Sequence, residues 1–183
     1  MRLKNCAGIV CFSLVIVLFS CESNFKDVQR MNSVEFSPWV QAEDINLKYT
    51  DSGKVKAILL SPLMHDYSNL EYKFNEFPKG VNVTLLDPNG KKTVVVADYA
   101  INYAKTDIID LRGNVKVTTS DGKVLTTDQL YYDQKNEWFY TENYFKFTSS
   151  DGSVLEGPGL DFSKDFRVFN IQNSKANITN VEE

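Results

Sequence analysis

From Asp44 onward, apolar and polar residues alternate in short runs rich in β-branched and aromatic side chains, and Gly, Asp and Asn punctuate them. Alternation of period two puts successive side chains on opposite faces of an extended chain, so it predicts strands. The predicted runs are Lys54–Leu60, Tyr67–Phe74, Val81–Leu86, Thr93–Tyr103, Val115–Thr119, Val124–Tyr132, Trp138–Tyr140, Tyr144–Thr148 and Val168–Ile171. Beyond the N-terminal twenty residues no segment keeps a helical period over ten positions, so the expected fold class is all-β.

The pattern repeats. Asp121-Gly122-Lys123-Val124-Leu125 returns thirty residues later as Asp151-Gly152-Ser153-Val154-Leu155, and the same shift carries Ile109 onto Phe139, Val115 onto Phe145, Val117 onto Phe147 and Leu130 onto Leu160. A shift of thirty-two residues aligns Asp87-Pro88-Asn89-Gly90 with the Gly122 turn and sets Phe77, Val83 and Leu85 against Ile109, Val115 and Val117. Asp51-Ser52-Gly53-Lys54-Val55 looks like a degenerate first copy. Ile109, Leu111, Val115 and Val117 share one parity, as do Phe139, Phe145 and Phe147, while Arg112, Lys116, Thr118 and Lys146 take the other. Each unit therefore has an apolar and a polar face. Two-faced units can stack as a parallel β-helix, a closed barrel or a folded-over pair of sheets, and two or more reversals in thirty residues favour the last.

The N-terminus changes the setting. Arg2 and Lys4 precede an apolar run from Ala7 to Phe19, which fits an export signal and is short of the ~20 residues a spanning helix needs. Leu18-Phe19-Ser20-Cys21 resembles a bacterial lipobox, with Cys21 the lipidated first residue of the mature chain. The other cysteines, Cys6 and Cys11, leave with the signal, so no disulfide or thiolate site is expected in the mature protein. The organisation expected is a signal over residues 1–20, a lipidated N-terminus and linker over 21–43, and a β domain over 44–180. The polar stretch from Glu22 to about Gln41 could reach roughly 65 Å when extended. Trp39 within it is expected to pack onto the first strand.

Charge and chemistry then exclude more than they add. The net charge of −4, about −6 once Arg2 and Lys4 are removed, provides no footprint for nucleic acid. His65 is the only histidine and is expected to form a surface pair with Asp66; with no cysteine near it, neither a zinc set nor a nucleophile triad can be assembled. Asp128, Asp133 and Asp161 recur near strand ends, where turn-making accounts for them. Gly157-Pro158-Gly159 precedes no helix and is not a phosphate loop. No catalytic residue, metal or cofactor is expected.

One set of residues resembles a known family. Gly113-Asn114-Val115-Lys116-Val117, Asp121-Gly122-Lys123, Leu125 through Gln134, Thr141 and Gly157-Pro158-Gly159-Leu160 are similar to the OstA/LptC family of lipopolysaccharide-transport proteins. Ser52 to Ala57 and Phe77 to Val81 resemble its LptC members. The resemblance implies an open β-jellyroll in the periplasm whose apolar interior carries the acyl chains of lipopolysaccharide. It implies receipt of lipid from the inner-membrane ABC transporter and transfer to a periplasmic bridge protein. The best-known members are held by a single transmembrane helix, whereas this chain has a lipobox. The expected location is the periplasmic face of the inner membrane, by a lipid anchor.

On that resemblance the expected groove lining is Val83, Leu85, Ile109, Leu111, Val115, Val117, Leu130, Phe139, Phe145, Phe147 and Leu160. The plainer expectation for each of them is core packing. Edge-to-edge pairing with a partner jellyroll points to the first strands, about 45–60, or the last, about 166–178, where Phe169 and Ile171 stand as edge residues. The alternative is a structural or glycan-binding envelope lipoprotein, for which Trp138 and Tyr140, opposite in parity to Phe139, offer a small outer patch.

Overall fold

The computed structural model describes residues 37–171 and, as backbone, 175–177. Cys21, the export signal and residues 21–36 of the linker lie outside the described residues. Twelve strands form one antiparallel sheet: β1 (Val40–Asp51), β2 (Lys54–Asp66), β3 (Phe74–Phe77), β4 (Val81–Leu86), β5 (Lys92–Ala97), β6 (Tyr99–Tyr103), β7 (Ile108–Thr119), β8 (Val124–Asp133), β9 (Trp138–Thr148), β10 (Val154–Ser163), β11 (Phe169–Ile171) and β12 (Lys175–Asn177).

The long strands serve two half-sheets at once. Strand β2 pairs with β4 through residues 57–60 and with β3 through 65–66. Strand β7 pairs with β5 through 116–119 and with β6 through 108–112. Strand β10 carries β12 on one half and β11 on the other. Between the halves runs a crease that crosses every long strand. Asp44 has φ of 50° in β1, Gly113 and Asn114 have 73° and 46° in β7, and Gly159 has 73° in β10. The register slips there between β7 and β8, β8 and β9, and β9 and β10. Bulges of this kind bend strands and increase their twist. Here they fold the single sheet over on itself into the jellyroll expected from the sequence.

At the crease some strands change inward parity. In β8 the buried positions run Leu125, Thr127, then Leu130, and in β10 Gly157 is followed by Leu160 and Phe162. The hydroxyls buried at this bend are satisfied locally. Ser61 Oγ donates to Gly80 O at 2.7 Å, and Thr127 Oγ1 to Tyr144 O at 3.0 Å. Backbone groups freed by a bend must find partners, and these short side chains supply them.

The repeated turns are real units. Gly122 N donates to Thr119 O at 3.1 Å and Thr119 N to Lys123 O at 3.0 Å; the bonds Gly152 to Ser149 and Gly90 to Asp87 reproduce this geometry at 3.0 and 3.1 Å. With φ of 88°, Gly122 occupies the left-handed position such turns reserve for glycine. Asp51-Ser52-Gly53-Lys54 differs: Ser52 and Gly53 both have positive φ and Asp51 pairs directly with Lys54, a two-residue turn.

Several strand expectations need correction. Residues 67–73 form turns and bends; only Phe74–Phe77 is extended. Thr93–Tyr103 is two strands, because Asp98 at the crease bonds its N–H to Gly113 O at 3.0 Å and passes the chain from one half to the other. Trp138–Tyr140 and Tyr144–Thr148 are one strand, and β10, whose Val154-Leu155 and Leu160 belong to the repeat, is missing from the predicted strand runs because Gly157, Pro158 and Gly159 mask its alternation. Strand β1 begins at Val40, inside the stretch read as linker. Trp39 is 71% exposed rather than packed on β1.

Candidate functional site

The inner faces of the two halves meet in one apolar seam. Of the expected groove residues, Leu85, Leu111, Val115, Val117, Leu130 and Leu160 are buried. So are Phe139, Phe145 and Phe147, while Val83 and Ile109 are half-buried and pack against the same cluster. Lys116 and Lys146, on the opposite parity, are exposed. Each fully buried side chain of this size contributes about 1.5–3 kcal/mol, so the seam is the main source of stability.

Closure is uneven along the seam. At the β9 to β11 end, aromatic rings span the interior. Phe147 lies 5.1 Å from Phe169 and 6.2 Å from Phe166, and Phe162 lies 5.1 Å from Phe139 and 4.8 Å from Phe166. At the β1–β2 end no such cover exists among the described residues. Tyr49 pairs with Ala57 and Leu47 with Leu59, so these two side chains continue the inward face to which Ala57, Leu59 and Val83 belong. Yet Leu47 is 51% and Tyr49 66% exposed. The apolar interior therefore runs out into solvent along β1. Sequence reasoning missed these two residues, although Ile45, Leu47 and Tyr49 alternate as a strand should.

The two edges differ in length. Strand β1 pairs with β2 over its whole length and, among the described residues, has no partner on its other side. The opposite edge is made of two short strands, β11 and β12, laid end to end along β10. Phe169 and Ile171 sit in β11, but their side chains pack against the core, so the edge they present is backbone.

The outer face of the half-sheet containing β3 and β6 is polar and aromatic. His65, expected beside Asp66, instead has Nδ1 3.2 Å from Glu76 Oε2 on the neighbouring strand. Glu76 also accepts from Tyr99 OH at 2.7 Å and Tyr67 OH at 3.3 Å. Burial works against ionisation of Glu76, but the hydrogen bonds from Tyr99, His65 and Tyr67 outweigh it and hold the carboxyl below its ordinary range. Further along, Asp110 is only 2% exposed; Gln129 Nε2 donates to its Oδ1 at 2.8 Å and Arg112 Nε to its Oδ2 at 3.0 Å. Tyr131 and Tyr140 stack at 4.9 Å, and Trp138 Nε1 donates to Asp161 at 3.1 Å. Trp138 and Tyr140 thus do share an outer patch. Burial first, and then the charge of Asp110, raises the Tyr131 phenol, so it stays neutral.

A shallow cleft of about 680 Å³ lies at the crease between β1, β2 and β4, lined by Ile45, Leu60, Pro62, Lys79 and Asn82 among others. None of the expected groove residues lines it. Among the described residues no helix is long and apolar enough to cross a membrane.

No curated protein matches the chain. The family described as "Lipopolysaccharide-assembly, LptC-related" matches residues 8–178, nearly the whole sequence and every strand of the folded sheet. That family serves transport and binding rather than catalysis, on the periplasmic side of the inner membrane. With that match spanning the creased sheet and its apolar seam, the chain belongs to the LptC-related family of lipopolysaccharide-assembly proteins, and its role lies in lipopolysaccharide transport.

Proposed function

We propose that this protein accepts lipopolysaccharide from the inner-membrane ABC transporter at its β1 side, takes the acyl chains onto the inward face of the jellyroll, and passes them to the periplasmic bridge protein at its β10–β12 side. The observation that carries the proposal is the uncovered inward face of β1, where Leu47 and Tyr49 continue the lining of the core but stand in solvent. Each acyl methylene buried against such a surface is worth about 0.8 kcal/mol, so even a few give a useful foothold. Val83, Ile109 and the nine buried groove residues line the path beyond that mouth. At rest they pack against each other, and entry of a chain requires the two half-sheets to part along the crease. The outgoing backbone edge in this reading is β11, the strand of Phe169 and Ile171.

The lipid anchor belongs to the same proposal. Cys21 carries it, and Glu22–Trp39, eighteen residues before β1, reach up to about 60 Å from it. Two or three acyl chains hold such a protein stably, where one alone is marginal. Photo-crosslinkers test the cargo path. Capture of lipopolysaccharide is expected at Tyr49 first, then at Val83 and Phe145, and not at Lys116 or Lys146. Equal capture from both faces, or none from the inward one, would sink the proposal.

A further inference from the structure

The outer face of the half-sheet built from β6 to β10 carries a group of residues that the core does not need. Register places Arg112 opposite Gln129, Asp110 opposite Tyr131, Tyr131 opposite Tyr140, and Trp138 opposite Asp133, all on the outward side. Beyond the crease the same three strands show a different outer face. There β7, β8 and β9 present Lys116 and Thr118, Val124 and Thr126, and Lys146 and Thr148. Only Tyr144, at the bend itself, adds a ring to that side.

The aromatic half is also pre-arranged. Asp110 is an almost fully buried carboxylate on an outward position, a costly choice unless it is held by partners. Its bonds fix the side chains of Arg112 and Gln129 rather than the backbone. Gln129 Nε2 is used twice, toward Asp110 and toward Tyr131 OH at 2.7 Å. Among the described residues this leaves Gln129 Oε1 and Arg112 Nη1 with no hydrogen-bond partner; the Arg112 guanidinium lies over the Tyr99 ring at 5.9 Å, and its side chain is 50% exposed. As cross-strand neighbours, with Cβ atoms about 5 Å apart, they set an acceptor and a donor side by side on the outer face. Beside them stands the wall of Tyr131, Tyr140 and Trp138.

A fixed donor and acceptor beside aromatic rings match the two aspects of a sugar ring, its vicinal hydroxyls and its apolar C–H face. The acidic surroundings, Asp133, Glu142 and Asp161 against Arg112, disfavour anionic partners such as nucleic acid or an anionic bilayer. We propose that this face binds neutral sugars of the polysaccharide part of lipopolysaccharide, in a site distinct from the apolar interior. The proposal rests on the lipopolysaccharide reading above for its ligand, but on none of the residues assigned to the acyl path. Arg112 and Gln129 bond hydroxyls of one sugar, Tyr140 in the next cross-strand row packs against its ring, and Trp138, one row further on, packs against the neighbouring sugar.

Trp138 is a built-in reporter. In the full-length mature protein carrying Trp39→Phe, Trp138 is the only tryptophan left. Titration with water-soluble polysaccharide released from lipopolysaccharide by mild acid is expected to change its emission saturably. Gln129→Ala and, separately, Tyr140→Ala should weaken that titration at least tenfold; Gln129→Ala removes neither ring of the Tyr131–Tyr140 stack, so it tests the site even if Tyr140→Ala fails to fold, with urea unfolding of the same sample checking that the variant is folded. Lipid A alone should leave Trp138 emission unchanged, and crosslinking of lipid at Tyr49 should be unaffected in Gln129→Ala. A flat titration, an unchanged titration in Gln129→Ala, or equal binding of peptidoglycan-derived muropeptides would overturn the proposal. Saturable polysaccharide binding without lipid capture at Tyr49 would overturn the acyl path and leave this site standing.

Discussion

Phe145 and Tyr49 are both aromatic and both on the inward face, so truncating each to alanine separates packed core from open mouth. Phe145 is 0% exposed. Phe145→Ala removes its whole ring from a filled interior, a change that costs about 3–5 kcal/mol through lost transfer energy plus the cavity left behind. A domain of this size is stable by about 5–15 kcal/mol in total, so the loss is a large fraction of it. Tyr49 is two-thirds exposed, and Tyr49→Ala should stay within about 0.5 kcal/mol of the parent. Urea unfolding of the mature protein, followed by circular dichroism, reads both from midpoint and slope. The slope should be the same for all three proteins, because the surface exposed on unfolding hardly changes. A loss below about 1 kcal/mol at Phe145 would refute a filled interior there. A loss above about 2 kcal/mol at Tyr49 would mean that something covers β1. The functional counterpart runs the other way, with lipopolysaccharide binding falling in Tyr49→Glu while stability is kept.

Gly80 has φ of 83°, and an added Cβ would lie 2.7 Å from Ala97 O; Gly80→Ala should cost about 2 kcal/mol or more in urea unfolding, and a neutral result would refute the close approach at the crease. Glu76 has its carboxyl held low in the folded state, so its contribution is complete above the unfolded value, about pH 4.3, and is lost as pH falls through the lower folded value. In Glu76→Gln the urea midpoint should therefore depend less on pH below that point, and an unchanged pH profile would remove the network from the account. Ile171→Pro should weaken binding to the bridge protein at least tenfold, with thermal stability measured on the same sample because Ile171 also packs on the core; full binding by a folded variant would refute the β11 edge.

Much of the fold was legible because the repeat carries local rules. The Asp-Gly turns at 121–122 and 151–152 and the odd parity of Val115, Val117, Phe145 and Phe147 follow from turn chemistry and the two-residue period of a strand. So does the outward position of Lys116 and Lys146. What alternation could not reveal lies at the crease. Thr127 and Thr141 are buried hydroxyls, and Leu130 is inward although its parity differs from that of Leu125, because a bulge shifts the register by one residue at a place no side-chain pattern marks. The same bend hid β10 behind Pro158 and its flanking glycines.

The sequence by itself determined an all-β protein of two-faced repeats, its family resemblance and the apolar set that faces inward. Only the tertiary structure decided where that face is covered. Burial depends on what the folded sheet brings opposite each residue: Phe147 meets Phe166 and Phe169 across the seam, while Leu47 and Tyr49, on the terminal strand, stay half or more exposed. Hydrophobicity is a property of a residue, but exposure is a property of its surroundings, and the open end of this jellyroll is set by where the sheet stops.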